Sequence, residues 1–154
     1  MKKLTLLLLL LLGVMGLTYA QESDVLIDES LALARQGEFT QAKDLIENYA
    51  NTGNSEAQYI LSMYYRDPSA LNIPEIGEKW LVVAAENDNA NAQYEIAWRL
   101  AAGWKDDSIE DIVEMIYWFE KAGFNGKTDA YANLGIMYEN DDRDTLAEME
   151  VAAN

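Results

Sequence analysis

A short segment returns along this chain at a spacing that matches a pair of α-helices. Ala57-Gln58-Tyr59 recurs as Ala92-Gln93-Tyr94, 35 residues later, and in weakened form as Ala130-Tyr131-Ala132, another 38 on. Agreement spreads in both directions. Downstream, Leu61, Ile96 and Leu134 fall together, then Ser62, Ala97 and Gly135, then Tyr65, Leu100 and Tyr138. Upstream, Gly53, Asp88 and Gly126 mark one turn, preceded by Tyr49, Ala84 and Ala122, by Ile46, Leu81 and Phe119, and by Leu45, Trp80 and Trp118. A segment of this length that recurs cannot bury its apolar stripe alone, so neighbouring copies have to stack to make a core. The three additional residues between the second and third copies fit the loop around residues 104–110, where an insertion costs least.

Each copy holds two patterns of about a dozen residues with apolar side chains at i, i+3, i+4 and i+7, and none alternates as a strand would. The expectation is an all-α fold, a solenoid of antiparallel helix pairs with about seven or eight helices. Boundary signals agree with it. Ser55 with Gln58, and Ser108 with Asp111, have capping-box spacing; Pro74 suits a first helical position; Pro68 should stop the helix that carries Tyr64. Ala57, Ala92 and Ala130 are expected where paired helices cross closely.

The first twenty residues read as an address. Lys2 and Lys3 precede the apolar run Leu4 to Leu12, and Thr18-Tyr19-Ala20 offers a small-x-small cleavage site before Gln21. A cleaved signal peptide over residues 1–20 is expected, with residues 21–154 as one helical domain exported to the periplasm or beyond and no membrane insertion after cleavage. The apolar run falls short of the roughly 20 residues of a spanning helix. Those 134 residues carry 9 basic and 27 acidic side chains, a charge of −18. Such a field repels phosphate backbones and anionic headgroups, which makes nucleic acid a poor partner and a basic protein a good one.

With neither His nor Cys in the chain, imidazole bases, thiolate nucleophiles, disulfides and the usual zinc ligands are excluded. Two acidic clusters stand out: Asp106, Asp107, Glu110, Asp111 and Glu114, and Glu139, Asp141, Asp142, Asp144, Glu148 and Glu150. Neither has the alternating order of a calcium loop, and both read as solvated helix ends, with Asp and Glu favoured near helix N-termini. No carboxylate pair is singled out for glycoside hydrolysis. No cofactor and no enzymatic activity are expected; a carboxylate-dependent envelope hydrolase, or a purely structural envelope scaffold, is the alternative.

The pattern of Ala, two residues, Trp, three residues, Ala-Ala or Ala-Gly, a Gly turn, Ala-Gln, then Leu-Gly and Tyr resembles the Sel-one-like repeat, a short relative of the tetratricopeptide repeat, with Gly77 and Met115 departing from the leading Ala. Met115 to Tyr138, MIYWFEKAGFNGKTDAYANLGIMY, shows it most fully. Gly77 to Leu100 keeps Trp80, Ala84-Ala85 and Ala92-Gln93, and Ala42 to Tyr65 keeps Ala42, Ala50, Gly53 and Ala57-Gln58. LALARQGEFTQA, Leu31 to Ala42, is similar to a tetratricopeptide junction. The resemblance implies repeats at about 38–72, 73–107 and 108–140 between capping helices, with the first helix of each lining a concave face. Asp44, Lys79 and Tyr117 are equivalent there, as are Glu47, Val82 and Glu120, and Asn48, Val83 and Lys121. Lys79, Val82, Glu86, Tyr117 and Glu120, with Trp104 from the inserted loop, are thus the candidate partner-binding residues; for Trp104 the equal alternative is a ring that folds back to cover the stack. Trp80, Trp118, Phe119, Tyr65 and Tyr138, at shared positions, are expected to be structural. Exported proteins of this kind include modulators of membrane sensors and immunity proteins that block effectors, so the implied function is a protein-binding adaptor, regulator or inhibitor.

Overall fold

The structure, a computed structural model, describes residues 24–102 and 109–140. The expected signal peptide, Trp104, Ser108 and the acidic residues beyond Asn140 lie outside the described residues. Within them the chain is all-α: seven helices and no strand. Helix α1 covers residues 24–35. It is followed by α2 (Phe39–Asn51), α3 (Ser55–Arg66), α4 (Pro74–Glu86), α5 (Ala90–Ala101), α6 (Ile109–Phe124) and α7 (Asp129–Asn140). None of these helices is long and apolar enough to cross a membrane.

Four of the connections are one device. After α1, α2, α4 and α6 the chain enters the left-handed region at Gly37, Gly53, Asp88 and Gly126, with φ of 84°, 100°, 63° and 103°. At each, the left-handed residue donates back three residues and the next residue donates back five. Examples are Asn54 N to Tyr49 O at 3.0 Å, Asn89 N to Ala84 O at 2.9 Å and Lys127 N to Ala122 O at 2.8 Å. These are the paired bonds of a Schellman close, which satisfy orphan carbonyls and reverse the chain within a few residues. Asp88 adopts a conformation that Gly takes freely and Asp tolerates better than most residues.

The helix starts differ from expectation in one respect. Asn54, one residue before the expected Ser55, caps α3, accepting from Ala57 N at 2.9 Å, and Asn89 caps α5 in the same way, accepting from Ala92 N at 3.0 Å. Ser55 is already inside the helix, and Gln58 turns inward instead of closing a box. Asn is as good an N-cap as Ser, and here it directly follows the left-handed residue that ends the preceding helix. Pro74 does open α4, and α3 stops two residues before Pro68, with Asp67 extended at φ −70°, ψ 121° as a pre-proline residue must be.

Consecutive helices pack on one another, most extensively α3 with α4 and α5 with α6. Ala42, Ala57, Ala92, Ala97 and Ala130 are fully buried, as are Ile46, Leu81 and Phe119 at one shared position. Two of the four tryptophans tie neighbouring cores together: Trp80 on α4 packs against the α2–α3 core, and Trp118 on α6 packs against both the α4–α5 core and its own. Gly77 shows how closely α4 approaches α3. A Cβ built there would stand 2.8 Å from Ser62 O and 2.4 Å from Arg66 Cγ, so glycine is required where the pattern elsewhere has Ala42 and Met115.

Candidate functional site

Two buried carboxamides organise the interior. Gln58 Nε2 donates to Ala50 O at 2.9 Å, closing α3 onto the end of α2, and Gln93 Nε2 donates to Ala85 O at 2.9 Å, closing α5 onto the end of α4. Each Gln oxygen accepts from the next helix pair: Asn87 Nδ2 reaches Gln58 Oε1 at 2.9 Å, and Asn125 Nδ2 reaches Gln93 Oε1 at 3.0 Å. The two links are related by the same offsets as the tripeptide. A buried amide must be fully paired to be tolerated, and the ladder achieves this while joining each pair to its successor. It stops at α7, where Tyr131 takes the place of Gln. The Tyr131 ring lies across Gly123, where a Cβ would come within 2.5 Å of it.

A second set of polar contacts joins α3, α4 and α5. Arg66 Nη2 donates to Glu95 Oε2 at 3.1 Å, Arg66 Nη1 pairs with Glu95 Oε1, and Arg99 pairs with both Glu95 and Glu78. Burial pushes the Glu95 carboxyl up, but the hydrogen bonds and charges of Arg66 and Arg99 together outweigh it, and the net shift is downward. Asp88 is lowered too, first by the Asn125 hydrogen bond and then by Lys121. At the equivalent α5–α7 contact the link is neutral, Asn133 Nδ2 to Tyr94 Oη at 3.0 Å.

The candidate binding residues lie outside this interior. Lys79, Val82 and Glu86 share one exposed face of α4, at i, i+3 and i+7, and Tyr117 and Glu120 occupy the matching face of α6. Val83 and Lys121 are half-buried instead, and Lys121 is held by Asp88 at 3.3 Å. The sequence reading missed two members of the α6 face. Val113 and Phe124, the latter 84% exposed, complete with Tyr117 and Glu120 a stripe at i, i+4, i+7 and i+11. The signal was present, since Phe124 stands where the earlier copies have Asn51 and Glu86. Along this face the character changes from Thr40, Asp44, Glu47 and Asn51 on α2, through Glu75, Lys79, Val82 and Glu86 on α4, to the largely apolar stripe on α6.

One shared aromatic does not behave as expected. Tyr65 is buried, but its counterpart Tyr138 is 44% exposed, because α4 covers α3 whereas among the described residues nothing follows α7. Trp80, Trp118 and Phe119 are core residues as expected. Of the first acidic cluster, Glu110 and Glu114 are exposed on α6, and among the described residues no group of three or more carboxylates is placed to hold a metal ion.

Comparison with known proteins gives no match: no family model matches the chain, and neither does any curated protein or solved structure.

Proposed function

We propose that this chain is a protein-binding module of the cell envelope, a Sel-one-like stack of helix pairs that holds a partner protein and performs no chemistry of its own. The observation that carries the reading is the α6 stripe. Val113, Tyr117 and Phe124 expose large apolar side chains in one line, at the positions that are polar on α2. Large apolar side chains exposed along one helix face point to a partner that covers them, and aromatic residues are the usual anchors of interfaces. The solenoid form is supported by the recurring Schellman turns, by the ladder that links each pair to the next, and by packing between consecutive helices. Export rests on the signal-peptide pattern of residues 1–20, and the charge of −18 that remains favours a basic partner, such as an effector held inactive.

The test is capture from an envelope extract with residues 21–154 as bait, run beside a Tyr117→Ala/Phe124→Ala double variant. A protein retained by the wild type and lost by the double variant is the expected result; identical retention by both would remove this face from the function. Against the captured partner, Tyr117→Ala and Val82→Ala should mainly speed dissociation. Glu120→Gln should mainly slow association, by an amount that shrinks as salt rises.

A further inference from the structure

We propose that Asn125 is a site of spontaneous covalent modification, hydrolysis of its side-chain amide through a cyclic imide, and that the amide ladder is what withholds it from reaction. This holds whatever the chain binds. Asn125 is the only asparagine in the chain followed by glycine. The neighbour matters because the reaction begins when the backbone nitrogen of the next residue attacks the asparagine side-chain carbonyl carbon. Glycine has no Cβ to obstruct that approach and the widest choice of backbone angles with which to make it. Every other asparagine inside the chain precedes a residue with a side chain.

In the closed turn both reacting groups are occupied. Gly126 N, the nucleophile, donates to Gly123 O at 3.1 Å, and the bonds from Asn125 N to Lys121 O at 3.0 Å and from Lys127 N to Ala122 O at 2.8 Å hold the backbone on either side of it. Asn125 Nδ2, the leaving group, donates to Gln93 Oε1 at 3.0 Å and to Asp88 Oδ1 at 3.2 Å, so the side chain is held across to the α4–α5 pair. Forming a five-membered imide requires that side chain to swing back onto Gly126 N, which breaks all three of these bonds. The reaction therefore waits for the turn between α6 and α7 to open. Opening there is easy relative to the rest of the molecule: Gly126 is exposed, Asn125 is half-buried, and α7 packs on α6 less extensively than α6 packs on α5.

Once the turn is open, Gly126 N bonds to Asn125 Cγ and gives up its proton, the Cγ–Nδ2 bond breaks, and ammonia leaves. Water then adds to either carbonyl of the imide. Opening at Cγ leaves an aspartate; opening at the main-chain carbonyl leaves an isoaspartate, in which the chain runs through the side-chain methylene. The net change is one water taken up and one ammonia released, with nothing oxidised or reduced. Neither product restores the joint. A carboxylate at position 125 has no hydrogen to give to Gln93 Oε1 or Asp88 Oδ1, and it sets a second negative charge beside Asp88, whose own carboxylate already engages Lys121. The isoaspartate also lengthens the main chain inside the paired bonds of the turn. An opening of the last joint is thus recorded permanently, because the chain that closes again lacks the link between Gln93 and α6.

The test incubates the full chain in mildly alkaline buffer and follows position 125 by digestion and mass spectrometry, with isoaspartate separated from aspartate by chromatography. A synthetic peptide of residues 118–132 gives the rate with no fold around it. The peptide should convert, and the folded chain should convert about tenfold more slowly or less. Gln93→Met takes one acceptor from Asn125 without touching the reacting residues, and should speed conversion in the folded chain about fivefold or more. Asp88→Asn keeps a residue suited to the left-handed turn and should act in the same direction, even if the methionine disturbs α5. Ile46→Val, which weakens the distant α2–α3 core, should leave the rate nearly unchanged. Asn125→Asp, which reproduces one product, should lower the melting temperature and raise hydrogen exchange in α6 and α7 more than in α2 and α3. Equal rates in peptide and folded wild type, or no effect of Gln93→Met and Asp88→Asn, would remove the ladder as the protection. Equal acceleration by Ile46→Val and Gln93→Met would make unfolding of the whole chain the controlling step. An unreactive peptide overturns the site itself, and an Asn125→Asp variant that melts and exchanges as the wild type does overturns the lasting loss of the joint.

Discussion

The α2–α3 pair and the α6–α7 pair are built on the same positions and offer opposite surfaces. In the first, the outward face of the leading helix is polar and the trailing helix is closed over by α4. In the last, the leading helix shows Val113, Tyr117 and Phe124, and the trailing helix shows Tyr131 and Tyr138. Yet the interiors match: Ile46 and Phe119 are both fully buried, as are Ala57 and Ala130. Folding is thus carried by positions the two pairs share, and whatever distinguishes one end of the molecule from the other is written at positions they do not share.

The largest test of that division is Phe119→Ala, which should cost about 3–5 kcal/mol because a fully buried ring leaves a cavity. Phe124→Ala, five residues away and exposed, should change stability by less than about 0.5 kcal/mol. Comparable melting shifts for the two would break the division between interior and displayed positions. Next comes the close crossing: Ala92→Leu has no space to enter between α4 and α5 and should destabilise by roughly 1–3 kcal/mol, whereas Glu86→Gln on the outward face should do almost nothing.

The ladder sharpens the comparison further. Gln93→Met keeps the volume but leaves Asn125 and the Ala85 carbonyl short of a partner, and should cost about 1–3 kcal/mol by chemical denaturation. Tyr131→Phe at the equivalent place should be nearly neutral, since Tyr131 makes no such link. In a double-mutant cycle, Gln93→Met with Asn125→Ala should fall short of additivity by about 0.5 kcal/mol or more. Full additivity would mean that the two amides do not act together.

The smallest effect concerns pH. Because the folded-state pKa of Glu95 is depressed, its contribution is present above the ordinary glutamate value of about 4.3 and is lost as pH falls through the lower folded value. Acid should therefore loosen the α3–α5 junction ahead of the α5–α7 junction, where the Asn133–Tyr94 link is neutral. Hydrogen exchange resolved by helix would show it. Glu95→Gln should remove the difference, and a pH response that survives this substitution would assign it to other carboxylates.

Much of this arrangement was legible in the sequence. The turn positions Gly53, Asp88 and Gly126 all proved left-handed, and the shared alanines Ala57, Ala92 and Ala130 all proved buried, because a steric requirement repeated at fixed spacing leaves a visible pattern. What could not be read was anything that depends on a neighbour. Gln58 fits a capping box by spacing, but its partners are Ala50 O and Asn87, the latter 29 residues away. Tyr138 matches Tyr65 in type, and only the presence of a following helix over one of them separates core from surface. Gln58 and Gln93 recur 35 residues apart, the spacing of the first and second copies, and Asn87 and Asn125 recur 38 apart, the spacing of the second and third, and that double recurrence was the available sign of the ladder.

The ladder also has a direction. Each Gln closes its own pair through its amide nitrogen, and its oxygen accepts from the pair that follows, so the buried carboxamide of each unit is completed by its successor. A chain shortened from its C-terminal side bares a carboxamide oxygen at each cut, while one shortened from its N-terminal side bares none. During synthesis the emerging protein would carry one such unfinished joint at its growing end until the next pair arrived. Duplication of the α4–α5 segment could lengthen the array without a mismatch, since it supplies both an Asn to the unit before it and a Gln to the unit after it; a unit added beyond Tyr131 would find no amide to grasp.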